Sequence, residues 1–259
     1  MARFDKLEWD DADDRSKTPS SHEQSKEKDE RHWLELADQF RRQGQHENAL
    51  RFFSRALELN RNIVPAWVSQ VQMLILLGEY PQAITWSRKA LEMFPNHGDL
   101  LATQSQANCR IGDFKSASAL SDASLKQRGE TPYQWQVRGE LMVASRQTND
   151  RHCFDRAQIL SSDFLVPLET GLIYMHHRAF MKAQQRVRDA INKQPDCHFA
   201  WLIIGQCQEA SGMSDAAIES YQHCLELYPQ HSDARSRLAQ LEATPWYVKN
   251  VFRRLFNRG

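Results

Sequence analysis

Large apolar side chains recur at a fixed interval along this chain of 259 residues. Successive members of the series lie 34 positions apart, except for one interval of 32. A fixed period of about 20–50 residues is typical of a solenoid, in which each repeat packs only against its neighbours. We therefore expect an array of repeats and no single central core. The series consists of Trp33, Trp67, Leu101, Trp135, Pro167 and Trp201.

Small residues and glycines follow the same period. Small side chains let two antiparallel helices approach closely, and a glycine at the same phase marks the end of a helix. Between these marks the apolar spacing is helical, as it is in Trp33, Ala37 and Phe40. The pattern predicts six helical hairpins. Its small residues include Ala49, Ala83, Ala117, Ala183 and Ala217, and its turn glycines are Gly44, Gly78, Gly112 and Gly212.

The sixth repeat carries the most complete set of these features, namely Trp201, Ile204, Gly205, Gly212, Ala217, Tyr221, Leu225 and Pro229. In residue type and spacing this set resembles the signature of the tetratricopeptide repeat, and the resemblance covers about residues 30 to 230. It implies an all-α fold, a right-handed α-solenoid of six hairpins. It also implies that partners bind on the concave face, which is lined by the first helix of each hairpin.

The expected organisation is an N-terminal arm, six repeats and two further helices. The arm, residues 1–29, is acidic and charge-rich, which predicts disorder. The repeats are expected at residues 30–63, 64–97, 98–131, 132–163, 164–197 and 198–231. Residues 232–243 are predicted to form a capping helix. The fourth repeat is shorter than the others, and we expect it to lack one residue in its inner loop.

Helical spacing also predicts which side chains line the concave groove, because residues at i, i+4 and i+7 form one stripe. Around the fifth repeat this stripe is apolar, which predicts the docking of an amphipathic helix or an extended peptide. The alternative is that the chain itself buries the apolar part, through its C-terminal segment or by closure of the superhelix. The predicted groove comprises Leu34, Asp38, Arg41, Val68, Gln72, Ile75, Gln106, Glu140, Val143, Leu168, Leu172, Met175, Leu202 and Gln206.

One known site of the resembled family is disfavoured. That site, a carboxylate clamp for chaperone tails, uses Lys and Asn at positions where this chain has Asp38 and Asp99. Two acids would repel a terminal carboxylate.

Both chain ends carry candidate docking segments. Phe4, Leu7 and Trp9 lie among acidic residues, either as a docking segment or as incidental apolar residues of a solubilising tail. Residues 244–259 predict a basic amphipathic helix, either a lid on the last hairpin, a helix on an anionic membrane, or a ligand for a partner groove. Its residues include Trp246, Val248, Lys249, Val251, Phe252, Arg253, Arg254, Leu255, Phe256 and Arg258.

No motif for nucleotide binding, zinc-dependent proteolysis or a nucleophile elbow occurs in the sequence. His176 and His177 are adjacent, so on a helix they point about 100° apart and are predicted to be surface residues without a shared metal. Cys197 and His198 are also adjacent and lack a third ligand at matched spacing. The sequence therefore predicts no enzyme, no metal and no cofactor.

Composition limits which partners and which cellular compartment are expected. The 33 basic and 33 acidic residues give a formal net charge of zero, so nucleic acid is not an expected partner. The five cysteines contain no CxxC pair, which argues against a disulfide framework. The chain begins with charged residues and contains no run of 18 apolar residues, so a cytoplasmic location is expected.

These observations favour a protein-interaction scaffold that binds an unidentified peptide or helix in its groove. The alternative is a peripheral membrane assembly factor that residues 244–259 recruit to the bilayer. An enzyme is the third hypothesis. Neither the partner nor the oligomeric state follows from the sequence.

Overall fold

The computed structural model describes residues 29–243. Residues 1–28 and 244–259 lie outside this range, and with them Phe4, Leu7, Trp9 and the predicted terminal helix from Trp246 to Arg258. The described residues form thirteen helices and no strand, which confirms the predicted all-α fold. The helices are α1 Glu30–Arg42, α2 His46–Leu59, α3 Val64–Leu76, α4 Tyr80–Met93, α5 Gly98–Arg110, α6 Phe114–Leu125, α7 Pro132–Ala144, α8 Asp150–Leu160, α9 Leu165–His176, α10 Phe180–Lys193, α11 His198–Ala210, α12 Ser214–Leu227 and α13 Ser232–Ala243.

The first twelve helices pair in chain order as six hairpins, two helices in each predicted repeat. Five hairpins have a connection of three residues, whereas the fourth has five, residues 145–149. The predicted loss of one residue is present between the packed positions, because Gly139 faces Phe154 15 positions on, whereas Gly205 faces Tyr221 16 positions on. The connection itself is longer because α8 begins late and is only 11 residues long. No helix in the described range has both the length and the apolar character needed to cross a bilayer.

The periodic small residues lie where the two helices of a hairpin cross. A Cβ atom on Gly205 would lie 2.6 Å from Cε1 of Tyr221. Ser105, at the equivalent position of the third hairpin, donates its hydroxyl to the carbonyl oxygen of Ala117 at 2.7 Å. The repeated small residue therefore reflects a helix contact that a larger side chain would force apart.

Two apolar clusters hold the ends of the array together. The first is built around Trp67 and Leu74, and the second around Phe154 and Tyr221. Hairpins three and four, between them, have a much smaller apolar cluster. Their first helices instead bury polar side chains, which must be satisfied by hydrogen bonds within the chain. These include Thr103, Gln106, Asn108, Gln136 and Glu140.

Helix α13 follows the last hairpin and packs on α12. Ala234 is fully buried there, and Leu238 and Leu241 pack against the second apolar cluster. Its other residues are mostly exposed. The helix thus has one apolar side on the array and one polar side towards water, as a terminal element of a solenoid requires.

Candidate functional site

The first helices of the hairpins, with the connections that lead into them, line an open inner cavity of about 410 Å³. Each of the first five hairpins contributes to its wall. Asp38, Arg41, Arg42, Val68, Gln72, His97, Asp99, Thr131, Tyr133, Gln136, Asp163, Leu165 and Glu169 are among its lining residues.

Two arginines of α1 close this cavity by reaching across to the fifth hairpin. Nε of Arg41 donates to Oε1 of Glu169 at 3.0 Å. Nη2 of Arg42 donates to Oδ2 of Asp163 at 2.7 Å, and Nε of Arg42 also donates to Asp38 at 2.6 Å. Burial disfavours the charge of Asp163, but Arg42 overrides it and lowers the pKa of that carboxyl below its ordinary value. The first hairpin is thereby joined to the fifth.

The turn after α1 also contacts the sixth hairpin. Gly44 adopts φ +74°, and a Cβ atom there would lie 2.2 Å from the ring of Phe199. The ring of His46 meets the same phenylalanine edge to face, with 5.6 Å between the centroids. Burial, together with the charge of Arg41, lowers the pKa of His46 to about 4. The glycine predicted as a turn residue is thus also the point where the array closes.

A buried carboxylate ties the third, fourth and fifth hairpins together. Glu140 of α7 is fully buried and accepts a hydrogen bond from Nε2 of Gln106 at 2.7 Å. Arg110 donates to its other oxygen, from which Nε2 of His177 lies 3.1 Å away. Burial alone would raise the pKa of Glu140, but Arg110 and His177 hold it at about 2. Tyr133 extends the network by donating to Gln106 at 2.7 Å.

The predicted groove residues divide between the cavity, the buried network and the core. Asp38, Arg41, Val68 and Gln72 line the cavity, and Gln106 and Glu140 belong to the network. Leu34, Val143, Leu172 and Met175 are partly buried and pack against the apolar clusters, whereas Ile75 is fully part of the first cluster. Gln206 lies elsewhere and donates to Asp233.

The exposure expected for the apolar part of the groove needs correction. Leu168 is 1% exposed and Leu202 5%, and both lie in the second apolar cluster. These side chains pack against neighbouring helices of the fourth to sixth hairpins. Packing between adjacent hairpins therefore buries them. His177 was expected at the surface, but its side chain is mostly buried against Glu140.

Sequence reasoning missed Asp163, Glu169 and Tyr133. Asp163 and Glu169 flank the apolar start of α9, and nothing in their spacing points to the arginines of α1 more than 120 positions away. The sequence gives only a weak indication for Tyr133, which lies two positions before the periodic Trp135.

Comparison with known proteins identifies the repeats. Residues 33–97 and residues 200–231 match family models described as tetratricopeptide repeat. The chain contains tetratricopeptide repeats. Hairpins three to five lie between the two matched stretches and continue the same helical pairing. The resemblance expected from the sequence is thereby confirmed.

Among curated proteins, the human Tetratricopeptide repeat protein 7A is 28% identical over 95 residues. This match covers 34% of the present chain and only 11% of the human one. The likeness therefore concerns a run of repeats and not the whole relative.

Solved structures share the architecture at low sequence identity. A tetratricopeptide repeat protein from Parabacteroides merdae matches with a TM-score of 0.51 and 13% identity, over 84% of this chain and 86% of that one. A thermophilic tetratricopeptide repeat protein from Thermus thermophilus matches with a TM-score of 0.50 and 19% identity, over 83% and 100%. The APC/C hetero-tetramer Cut9-Hcn1 matches with a TM-score of 0.50 and 15% identity, over 84% and 44%. These likenesses concern the fold.

Proposed function

We propose that this chain is a protein-interaction scaffold that takes an extended, basic segment of a partner protein into its inner cavity. The observation that carries the proposal is the charge of the cavity wall. Four carboxylates line it, against two guanidiniums and one imidazole. The carboxylates belong to Asp38, Asp99, Asp163 and Glu169, and the basic groups to Arg41, Arg42 and His97.

The two arginines are already engaged by acids. Arg41 pairs with Glu169, and Arg42 pairs with both Asp163 and Asp38. The four carboxylates outnumber the two guanidiniums, so the cavity wall keeps a net negative charge. A basic ligand group would find complementary charge there, whereas an acidic one would be repelled.

Asp99 is the acid best placed to meet such a group. Its Oδ1 accepts hydrogen bonds from Oγ1 of Thr131 at 2.6 Å and from Nε2 of Gln134 at 3.2 Å. Both donors are neutral, so these contacts hold the carboxylate in place without balancing its charge. A lysine or arginine side chain that enters the cavity would form a charge-assisted hydrogen bond with it.

The size of the cavity favours an extended segment. A volume of about 410 Å³ is in the lower part of the range for ligand pockets. An α-helix with its side chains is about 10–12 Å across and would need more room than an extended chain, and the contact between Arg41 and Glu169 lies in the cavity wall. An extended chain can place single side chains into the cavity with that contact intact.

The test uses two labelled peptides of equal length, one with lysine at alternate positions and one with glutamate at the same positions. We expect the purified chain to bind the lysine peptide more tightly in fluorescence anisotropy. Asp99→Asn keeps the shape and removes the charge, and we expect it to weaken binding about tenfold. Asp196→Asn, in an exposed loop, serves as the matched control and should leave the affinity unchanged.

Equal binding of both peptides, or an Asp99→Asn variant that binds the lysine peptide as well as the original chain, would contradict the proposal. Affinity capture with mass spectrometry then supplies natural segments. Those that bind competitively with the lysine peptide are candidates for the physiological ligand.

A further inference from the structure

Three metal-ligating side chains meet at the end of the repeat array. His198 begins α11, Cys224 lies in α12, and His231 directly precedes α13. One ligand atom from each lies within 4.8 Å of the other two. We propose that His198, Cys224 and His231 form a binding site for a zinc ion. This site lies outside the inner cavity, so its test is independent of the scaffold function.

The donor set selects the class of metal. Zn²⁺ accepts thiolate sulfur and imidazole nitrogen, whereas Ca²⁺ and Mg²⁺ require oxygen ligands. Two imidazoles and one thiolate leave a fourth position for water or for a group of a partner. Ligand atoms around a tetrahedral zinc ion lie about 3.5 Å apart, so the three side chains must close by about 1 Å. Small rotations of the two imidazole rings supply that movement, since the outer torsion of histidine is broad.

The histidines have ring nitrogens that the protein leaves weakly engaged. Nδ1 of His198 is buried and has no hydrogen-bond partner among the described residues. Nδ1 of His231 receives only the N–H of Ala234 at 3.4 Å, near the limit of a hydrogen bond. A buried polar atom without a partner is costly, and a bound metal ion would remove that cost.

The surroundings of the cluster suit a cation. A zinc ion bound by one thiolate retains one positive charge, and Asp233 lies close enough to act electrostatically on both Cys224 and His231. Its carboxylate is held by Nε2 of Gln206 at 2.9 Å and by Nε of Arg237 at 3.0 Å. Asp233 is thus held in a fixed position near the cluster.

The three ligands belong to different segments, which gives the site a structural consequence. A metal ion would join the last hairpin to the segment that leads into α13. Because the ligands are brought together only in the folded state, zinc is expected to stabilise the fold.

The experiment is a calorimetric titration of the full reduced chain with Zn²⁺ alone, together with thermal unfolding at the same zinc concentrations. We expect one zinc ion per chain and a higher unfolding midpoint. Cys224→Ala, His198→Gln and His231→Gln should each weaken binding by about tenfold or more. Alanine suits position 224, because Ala56, Ala90 and Ala190 occupy the equivalent positions of other hairpins.

Matched controls separate the cluster from other thiols and imidazoles. Cys207→Ala changes a buried cysteine of α11, and His223→Gln changes an exposed histidine of α12. Both should keep the original affinity. With Co²⁺ in place of zinc, the near-ultraviolet thiolate absorption should disappear in Cys224→Ala and persist in Cys207→Ala.

The proposal is overturned if the original chain binds no zinc, or if the cluster variants and the controls weaken binding equally. The latter result would assign binding to scattered surface histidines. Should circular dichroism show that Cys224→Ala does not fold, His198→Gln and His231→Gln decide the outcome.

Discussion

Nε of Arg41 in the first hairpin donates a hydrogen bond to Oε1 of Glu169 in the fifth, at 3.0 Å and across 128 positions of sequence. In a solenoid each repeat is expected to contact only its neighbours. This pair therefore shows that the superhelix curls tightly enough to bring distant repeats together. Both side chains lie in the wall of the cavity for which we propose partner binding.

The first prediction concerns this closing contact. Both side chains are mostly buried, with 16% and 17% exposure. Glu169→Gln leaves Arg41 without its charge partner and should lower the free energy of unfolding by about 1–3 kcal/mol. Urea denaturation measures the change. Glu58→Gln, which breaks an exposed pair with Arg55, should cost less than about 1 kcal/mol. Equal losses in the two variants would contradict a closing role.

The second prediction compares two turn glycines. Gly44 and Gly78 both have positive φ, +74° and +81°, so alanine is strained at either position by about 1–2 kcal/mol. Only Gly44 faces another hairpin, where the added methyl group would collide with Phe199. Gly44→Ala should therefore lower the unfolding midpoint more than Gly78→Ala, as measured by thermal denaturation. Phe199→Leu should reduce the difference, and a persistent difference would argue against the collision.

The third prediction concerns the buried carboxylate of Glu140. Glu140→Gln leaves Arg110, whose side chain is 5% exposed, as an unpaired buried charge, and should cost about 3–5 kcal/mol. Since the pKa of Glu140 is depressed from 4.5 to about 2, its contribution is present above pH 4.5 and is lost as the pH falls towards 2.

Urea denaturation between pH 7 and about pH 2 tests this dependence. The stability difference between the original chain and Glu140→Gln should shrink over the acidic interval. Glu219→Gln, an exposed change on α12, should leave stability almost unchanged at every pH. A difference that stays constant with pH would contradict the assignment.

The fourth prediction concerns His46. Its pKa is lowered from 6.5 to about 4 in the folded chain, so the unfolded chain binds a proton first as the pH falls. Stability from the neutral ring is present above pH 6.5 and is lost between pH 6.5 and about 4. His46→Gln should flatten the fall of unfolding free energy in that interval, whereas the exposed His223→Gln should not. An unchanged slope in His46→Gln would refute the prediction.

The fifth prediction distinguishes the interpretations of residues 244–259. If residues 244–259 form a membrane helix, the full chain should sediment with anionic liposomes and a chain ending at Ala243 should not. A lid predicts that neither form sediments and that truncation lowers the unfolding midpoint. If residues 244–259 are instead a ligand for a partner groove, truncation should change neither liposome sedimentation nor the unfolding midpoint.

The sequence alone determined the repeat, because a repeat is built from local contacts. The period of the large side chains, the small residue at position 205 and the glycine at position 44 each follow from packing within one hairpin or from one turn. These features have fixed sequence separations, so they can be recognised without coordinates. The all-α fold and the helical pairing followed from them.

Only the tertiary structure decided what the array encloses. Closure depends on small rotations between successive hairpins, which accumulate over several repeats and correspond to no single spacing in the sequence. That accumulation brought Arg41 to Glu169. Packing between adjacent hairpins buried Leu168, which the spacing alone had placed on an open groove. It did not create the cluster of His198, Cys224 and His231, which depends on how α13 turns back on α12. The helical repeat could be predicted because it depends on local spacing. The contacts between distant hairpins could not, because they depend on long-range packing angles.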